Sequence, residues 1–184
     1  MPKDSEYVAR INESNIAFKG KIWDVRRESF EFGDQVLTRE YVDHPGAVAV
    51  VAVNELDQVL LLRQYRHPVR SYLWEIPAGL LDVDGESKAD AAQRELQEES
   101  GYQAGRLTPL ISFFTTPGGN SEEIQIFLAE DLSFVGRPDE QEGEERDLTA
   151  EWTTISDAVT SILAGEIKSP TAVVGILALA QARS

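Results

Sequence analysis

Between residues 7 and 43 the chain alternates apolar and polar positions in short β-like pieces at 16–18, 22–25 and 36–42. Turns at Gly20 and Gly33-Asp34 part them, and the pattern predicts a small antiparallel sheet. Residues 46–53 break the alternation with a continuous Val-rich apolar run, followed by a turn at 54–57 and a second run at 59–63. Such runs predict two strands of a central sheet. Further strands are expected at 73–76, 107–114, 123–129 and 151–155, and helices at 88–100, 156–164 and 170–182. Strands and helices alternate irregularly, which predicts an α/β domain with a mixed sheet and helices against it. No internal repeat or linker interrupts the pattern.

The segment 172–180 is the most apolar. It is far shorter than the roughly 20 residues that a membrane helix needs, and it follows Ser169-Pro170, a cap and a first-turn proline. It predicts a buried C-terminal helix. The first twenty residues carry Lys3, Asp4, Glu6, Arg10 and Glu13 and no apolar run, so no export signal is expected.

Composition narrows the chemistry. With 184 residues, 42% hydrophobic and 27% charged, the chain suits one compact unit with a real core. It contains no cysteine, which excludes disulfides, zinc-thiolate sites, iron-sulfur clusters and thiol nucleophiles, and fits a cytoplasmic protein. Seventeen Lys and Arg against thirty-two Asp and Glu give a net charge of −15. That field repels phosphate backbones and anionic membranes, so neither nucleic acid nor a membrane is an expected partner.

The informative segment runs from Gly79 to Tyr102. Ser87 can cap a helix that Gly101 ends in a left-handed conformation. At about 100° per residue, Ala89, Ala92 and Leu96 share a side expected to face the core. Glu95, Glu98 and Glu99 fall on an adjoining arc, so three carboxylates are expected to converge, with Arg94 spaced to pair with Glu98 alone. Like charges at that spacing cost about 0.2–0.5 kcal/mol per pair. A hard divalent ion such as Mg²⁺ would relieve them and bridge to substrate phosphates. A calcium loop at 82–86 fails on spacing, and neither a Walker A motif nor a dinucleotide-binding glycine fingerprint is present.

From Glu86 onward this segment resembles the Nudix box, G-x5-E-x7-R-E-U-x-E-E-x-G-U with U aliphatic: Glu86, seven residues, Arg94-Glu95-Leu96, Glu98-Glu99 and Gly101. Two positions depart from it. Tyr102 stands where an aliphatic residue is preferred, and six residues, not five, separate Gly79 from Glu86. The segments at 64–67, 74–82, 116–118 and 136–138 are similar to the ADP-ribose pyrophosphatase branch, with Pro117 sixteen positions beyond Gly101 as its marker.

The resemblance implies a Nudix-type α/β/α sandwich over residues 45–184, preceded by an N-terminal β-sheet region over 1–44 that serves dimerisation. It implies Mg²⁺-dependent hydrolysis of ADP-ribose to AMP and ribose 5-phosphate, with Mn²⁺ as a possible substitute ion. The alternatives are a pyrophosphatase for other nucleoside diphosphate sugars, and a Nudix-like module that senses ADP-ribose without cleaving it. By the resemblance, Glu95 and Glu99 are direct metal ligands, Glu98 is a ligand or water-mediated contact counted among the catalytic residues, and the Ala78 carbonyl completes the metal site, while Glu86 and Arg94 pair structurally. The general base is expected in the acidic run, at Glu145 first and Glu144 second. Arg39 and Arg66 are the expected phosphate or ribose contacts, Glu75 an acceptor for a ribose or adenine donor, and Trp23 a platform for adenine. His44 and His67 receive no role. A homodimer is expected, its N-terminal sheet helping to build the partner's site.

Overall fold

The computed structural model describes residues 1–138 and 148–184. The chain forms two compact units: Met1–Pro45 with Phe114–Glu122, and Gly46–Phe113 with Glu123–Ser184.

The first unit holds the antiparallel sheet β1 (Ile11–Lys19), β2 (Asp24–Phe32) and β3 (Gln35–Asp43), in that order. β2 runs well beyond the expected 22–25, through Arg26, Arg27 and Glu28. Its charged residues suit a strand because β3 answers them: Arg27 lies opposite Glu40 and donates to it at 2.8 Å, and Arg26 donates to Asp43 at 2.6 and 2.8 Å. Every residue of β1 is exposed. Residues 114–122, which no pattern in the sequence ties to this unit, join it by bonds between Val42 and Gly119 and between Ser121 and Val42.

In the second unit β4 (Ala47–Ala52) is central. β7 (Ala78–Leu80) pairs with it antiparallel, β9 (Glu123–Phe134) pairs parallel, and β8 (Tyr102–Phe114) lies beyond β9. A second sheet orders β10 (Thr149–Thr154), β5 (Gln58–Arg66) and β6 (Ser71–Glu75), all antiparallel. Three helices complete the unit: α1 (Lys88–Ser100), α2 (Ile155–Leu163) and α3 (Pro170–Ala182).

The Val-rich run is apolar at every position because β4 is buried on both faces. Val48, Val50 and Ala52 pack with Ala91, Ala92 and Leu96 of α1. Ala49 and Val51 face the other way, into a cluster with Ala158 and Ile162 of α2 and Ala172, Ile176 and Leu179 of α3. Helices thus cover both faces, which is the α/β/α sandwich expected.

α1 and α3 have the bounds that the pattern predicts. The Ser87 hydroxyl accepts from the Asp90 N–H, and Gly101 closes α1 at φ 77°. Two expectations change. Ala89 is exposed and Ala91 is buried in its place, because a first-turn position on the core-facing arc lies at the helix end, while Ala91 sits under β4. β7 was not expected: a three-residue strand between Pro77 and the loop is too short to show a period. Among the described residues no helix is long and apolar enough to cross a membrane.

Candidate active site

β7, the loop after it and α1 assemble the carboxylates. Arg94 is their hub. Its Nε and Nη2 donate to the two oxygens of Glu86, each at 3.0 Å, the paired geometry in which a guanidinium holds a carboxylate most firmly. Its Nη1 donates to Glu95 at 2.6 Å and to Glu98 at 3.0 Å. The hydrogen bond to Glu86 raises the Arg94 pKa above the ordinary arginine value; partial burial opposes this, and Glu95 and Glu98 add to it. Arg94 is therefore a permanent cation.

Two expectations are corrected here. Arg94 pairs with Glu95 as well as Glu98, because one guanidinium arm lies between the two carboxylates. Nor do the three carboxylates converge as a ready cage: Glu99 turns inward, buried, and accepts from the Ala78 N–H at 2.9 Å. Among the described residues no group of three or more acidic or histidine side chains is arranged to hold a metal ion. Each carboxylate has taken the nearest donor, guanidinium or amide.

The donor set nevertheless suits a hard divalent ion. Glu99 lies on the backbone of Ala78, the Glu95 carboxyl lies against Gly79, and Arg94 Nη1 already marks a place where positive charge sits between Glu95 and Glu98. Gly79 makes room for this. A Cβ at Gly79 would fall 2.0 Å from the carboxyl carbon of Glu95, so only glycine lets that side chain lie against β7. Glu98 is 44% exposed and has space to turn.

The other expected residues are distributed over both units. In the second, Arg66 and Glu75 meet each other: Nε donates to Oε1 at 3.0 Å and Nη2 to Oε2 at 2.7 Å, across the β5–β6 pair. In the first, Arg39 is exposed on β3 and donates to the Thr38 carbonyl at 2.8 Å. Pro117 is exposed in a turn closed by the Gly119 and Asn120 N–H groups on the Thr116 carbonyl. Trp23 is partly buried and stacks on His44, ring centroids 4.3 Å apart. Glu144 and Glu145 fall in 139–147, outside the described residues.

A profile of the NUDIX domain matches residues 43–172, well over half of the chain. The chain belongs to the Nudix family. Among similar proteins, the ADP-ribose pyrophosphatase of Mycobacterium tuberculosis is 43% identical over 90% of this chain and 80% of its own length. The ADP-ribose pyrophosphatase of Bacillus subtilis is 38% identical over 85% of this chain and 86% of its own. The crystal structure of an ADP compounds hydrolase superposes with a TM-score of 0.78 at 24% identity, covering 97% of this chain and 96% of that one, so the whole Nudix fold is shared.

The candidate site of this Nudix protein lies on α1, where Glu86 clamps Arg94 and Glu95 and Glu98 accept from it. One group escaped the reading of the sequence. His44, Glu122 and Thr115 form a partly buried chain beside Trp23. Their separation in sequence leaves no local signal that links them.

Proposed function

We propose that this Nudix protein is a hydrolase of the pyrophosphate bond of ADP-ribose, releasing AMP and ribose 5-phosphate. One observation carries the reading: the Nudix carboxylates stand in register on α1 with Arg94 held among them by Glu86. The two ADP-ribose pyrophosphatase relatives supply the substrate.

Glu95, Glu98, Glu99 and the Ala78 carbonyl would hold Mg²⁺, or Mn²⁺ in its place. When bound, the ion neutralises charge on the non-bridging phosphate oxygens and polarises water. The residues do the rest. Glu86 keeps Arg94 from swinging out, so its guanidinium stays against Glu95 and Glu98. Glu75 pre-orients Arg66, whose planar fork suits a phosphate oxyanion. Arg39 contacts phosphate or ribose, Pro117 lies at the substrate, and Trp23 stacks on the adenine. Glu145, or failing it Glu144, takes the proton of the attacking water. With little covalent chemistry for the protein to do, positioning and charge stabilisation account for the rate.

Residues 45–184 form the catalytic domain in this reading, and residues 1–44 join a second copy of the chain. The wholly exposed β1 and the exposed Phe18, Ile22, Phe32 and Val36 support a homodimer, since a sheet with so much uncovered apolar surface is marginal alone. The absence of cysteine accords with the cytoplasm, and the net charge of −15 accords with a small-molecule substrate, not a nucleic acid.

The test is a panel of nucleoside diphosphate sugars incubated with Mg²⁺ and with a chelator. ADP-ribose should turn over fastest, give AMP and ribose 5-phosphate, and be spared when the metal is removed. Turnover of the panel without ADP-ribose among the good substrates would move the assignment to another sugar nucleotide. For the base, Glu145→Gln should lower kcat with little change in substrate Kd, and Glu144→Gln should do less. Sedimentation at micromolar concentration reads the dimer. Mixing Arg39→Ala with Glu99→Gln under subunit exchange should restore activity if the two sites are shared.

A further inference from the structure

His44 is an unusual residue in the first unit. Its side chain is 5% exposed, yet it lies on the segment leaving an open, largely exposed sheet. Its imidazole is stacked on the Trp23 indole with centroids 4.3 Å apart and planes 21° from parallel. Its Nε2 lies 3.1 Å from Glu122 Oε1. A carboxylate only accepts, so that nitrogen carries a proton and donates it. The second oxygen of Glu122 accepts from the Thr115 hydroxyl at 2.6 Å. The backbone is fastened as well: the His44 N–H donates to the Ser121 hydroxyl at 2.9 Å, and the Glu122 N–H to Asn120 Oδ1 at 3.0 Å.

Two features separate this arrangement from ordinary core packing. The three polar groups form a closed series, Thr115 to Glu122 to His44, in which each fixes the next and the last fixes a ring plane. And the ring so fixed belongs to Trp23, which is only partly buried. The imidazole covers one face of the indole, and because Trp23 is only partly buried, part of the residue remains open to solvent. An indole has two side-chain torsions; held from behind, it is ordered before a ligand arrives.

We propose that His44, fixed by Glu122 and Thr115, is a positioning residue that holds the Trp23 indole as a preformed stacking platform for the adenine of the substrate. The proposal rests on the ADP-ribose reading for the identity of the base. His44 touches neither the diphosphate nor the carboxylates of α1 in this role, so it acts on binding and not on bond cleavage. Base stacking on an aromatic ring needs only a π face, and its affinity is reduced by whatever it costs to order that ring. Losing the imidazole therefore weakens the base contact without removing it.

The experiment uses the full-length protein, with AMP as the probe of base binding and tryptophan fluorescence as the signal. AMP should quench wild-type emission, and Trp23→Phe should lose that change. His44→Ala and Glu122→Gln should each raise the AMP Kd and the KM for ADP-ribose by about three- to tenfold while kcat moves less than about twofold. His44→Phe, which keeps a ring against the indole, should recover most of the loss. Adding His44→Ala to Trp23→Ala should cost nothing further, because the platform is already gone. Equal falls in kcat and kcat/KM, additive losses in the double variant, or no rescue by His44→Phe at unchanged Tm would overturn the proposal. Should His44→Ala not fold, Glu122→Gln, which preserves shape, decides alone. A wild-type protein that binds AMP through Trp23 but leaves ADP-ribose intact would defeat the hydrolase reading and leave the role of His44 standing.

Discussion

α1 and α3 are a natural pair for comparison. Each has 13 residues, each follows a serine at its N-cap, and they pack on opposite faces of the same strand, β4. Their contents diverge completely. α3 carries no charged residue and buries Thr171, Ala172, Gly175, Ile176 and Leu179. α1 carries Lys88, Asp90, Arg94, Glu95, Glu98 and Glu99, and makes its core contact with two alanines and one leucine. The small residues let α1 come close to β4 while the adjoining arc is given over to carboxylates. Both helices cover the strand; only α1 also carries the carboxylates of the candidate site. The comparison predicts that damage to α1 appears in activity and damage to α3 in stability.

The largest effect is expected at Glu99. Glu99→Gln keeps its shape and its contact with Ala78 but removes a charge, so kcat/KM should fall by two to three orders of magnitude, about 3–4 kcal/mol, with Tm nearly unchanged. Near wild-type turnover at saturating Mg²⁺ would end the assignment of α1 as the catalytic helix. On the other face, Ile176→Ala empties a fully buried position and should cost about 3 kcal/mol in denaturant unfolding, while the folded fraction keeps its kcat. A kcat loss in folded Ile176→Ala would mean that the faces are coupled.

Gly79→Ala sharpens the contrast from the side of β7. The added methyl must displace Glu95, so kcat/KM should fall about ten- to a hundredfold, or roughly 1.4–2.7 kcal/mol, with little loss of stability. Its counterpart on α3 is Gly175→Ala. There a Cβ would lie 2.8 Å from Val51 Cγ2 in the closed core. The gain in helix propensity, up to about 1 kcal/mol, is outweighed by overpacking, and a net destabilisation of about 1 kcal/mol with unchanged activity is expected. A stabilised Gly175→Ala protein would show that α3 packs more loosely than α1.

These helices also mark how far local pattern carries. Ser87 and Gly101 bound α1, and Ser169-Pro170 opens α3, because caps and breakers act within one turn of chain. The pairing of Glu86 with Arg94 is what the resemblance to the Nudix box implies. Its extension to Glu95 is not, since it depends on which way one guanidinium arm points. β2 was under-read for a different reason. Arg26, Arg27 and Glu28 continue the strand because Glu40 lies opposite Arg27 and Asp43 is within reach of Arg26, pairings that the local pattern does not show. β7 was missed because it is a strand only by virtue of lying along β4.

What the sequence by itself determines is the set of groups and their order: two-sided burial of β4, the capped helices, and carboxylates at helical spacing on one arc. Each follows from interactions between residues a few positions apart, where period and propensity act. Tertiary structure alone decides which donor each carboxylate takes, that Gly79 must yield space to Glu95, and that Arg66 meets Glu75. It also joins Trp23, His44, Thr115 and Glu122, residues from strand ends and a distant hairpin, into one connected series. Contacts of that kind depend on where strands lie after pairing, and short-range pattern carries no record of that placement.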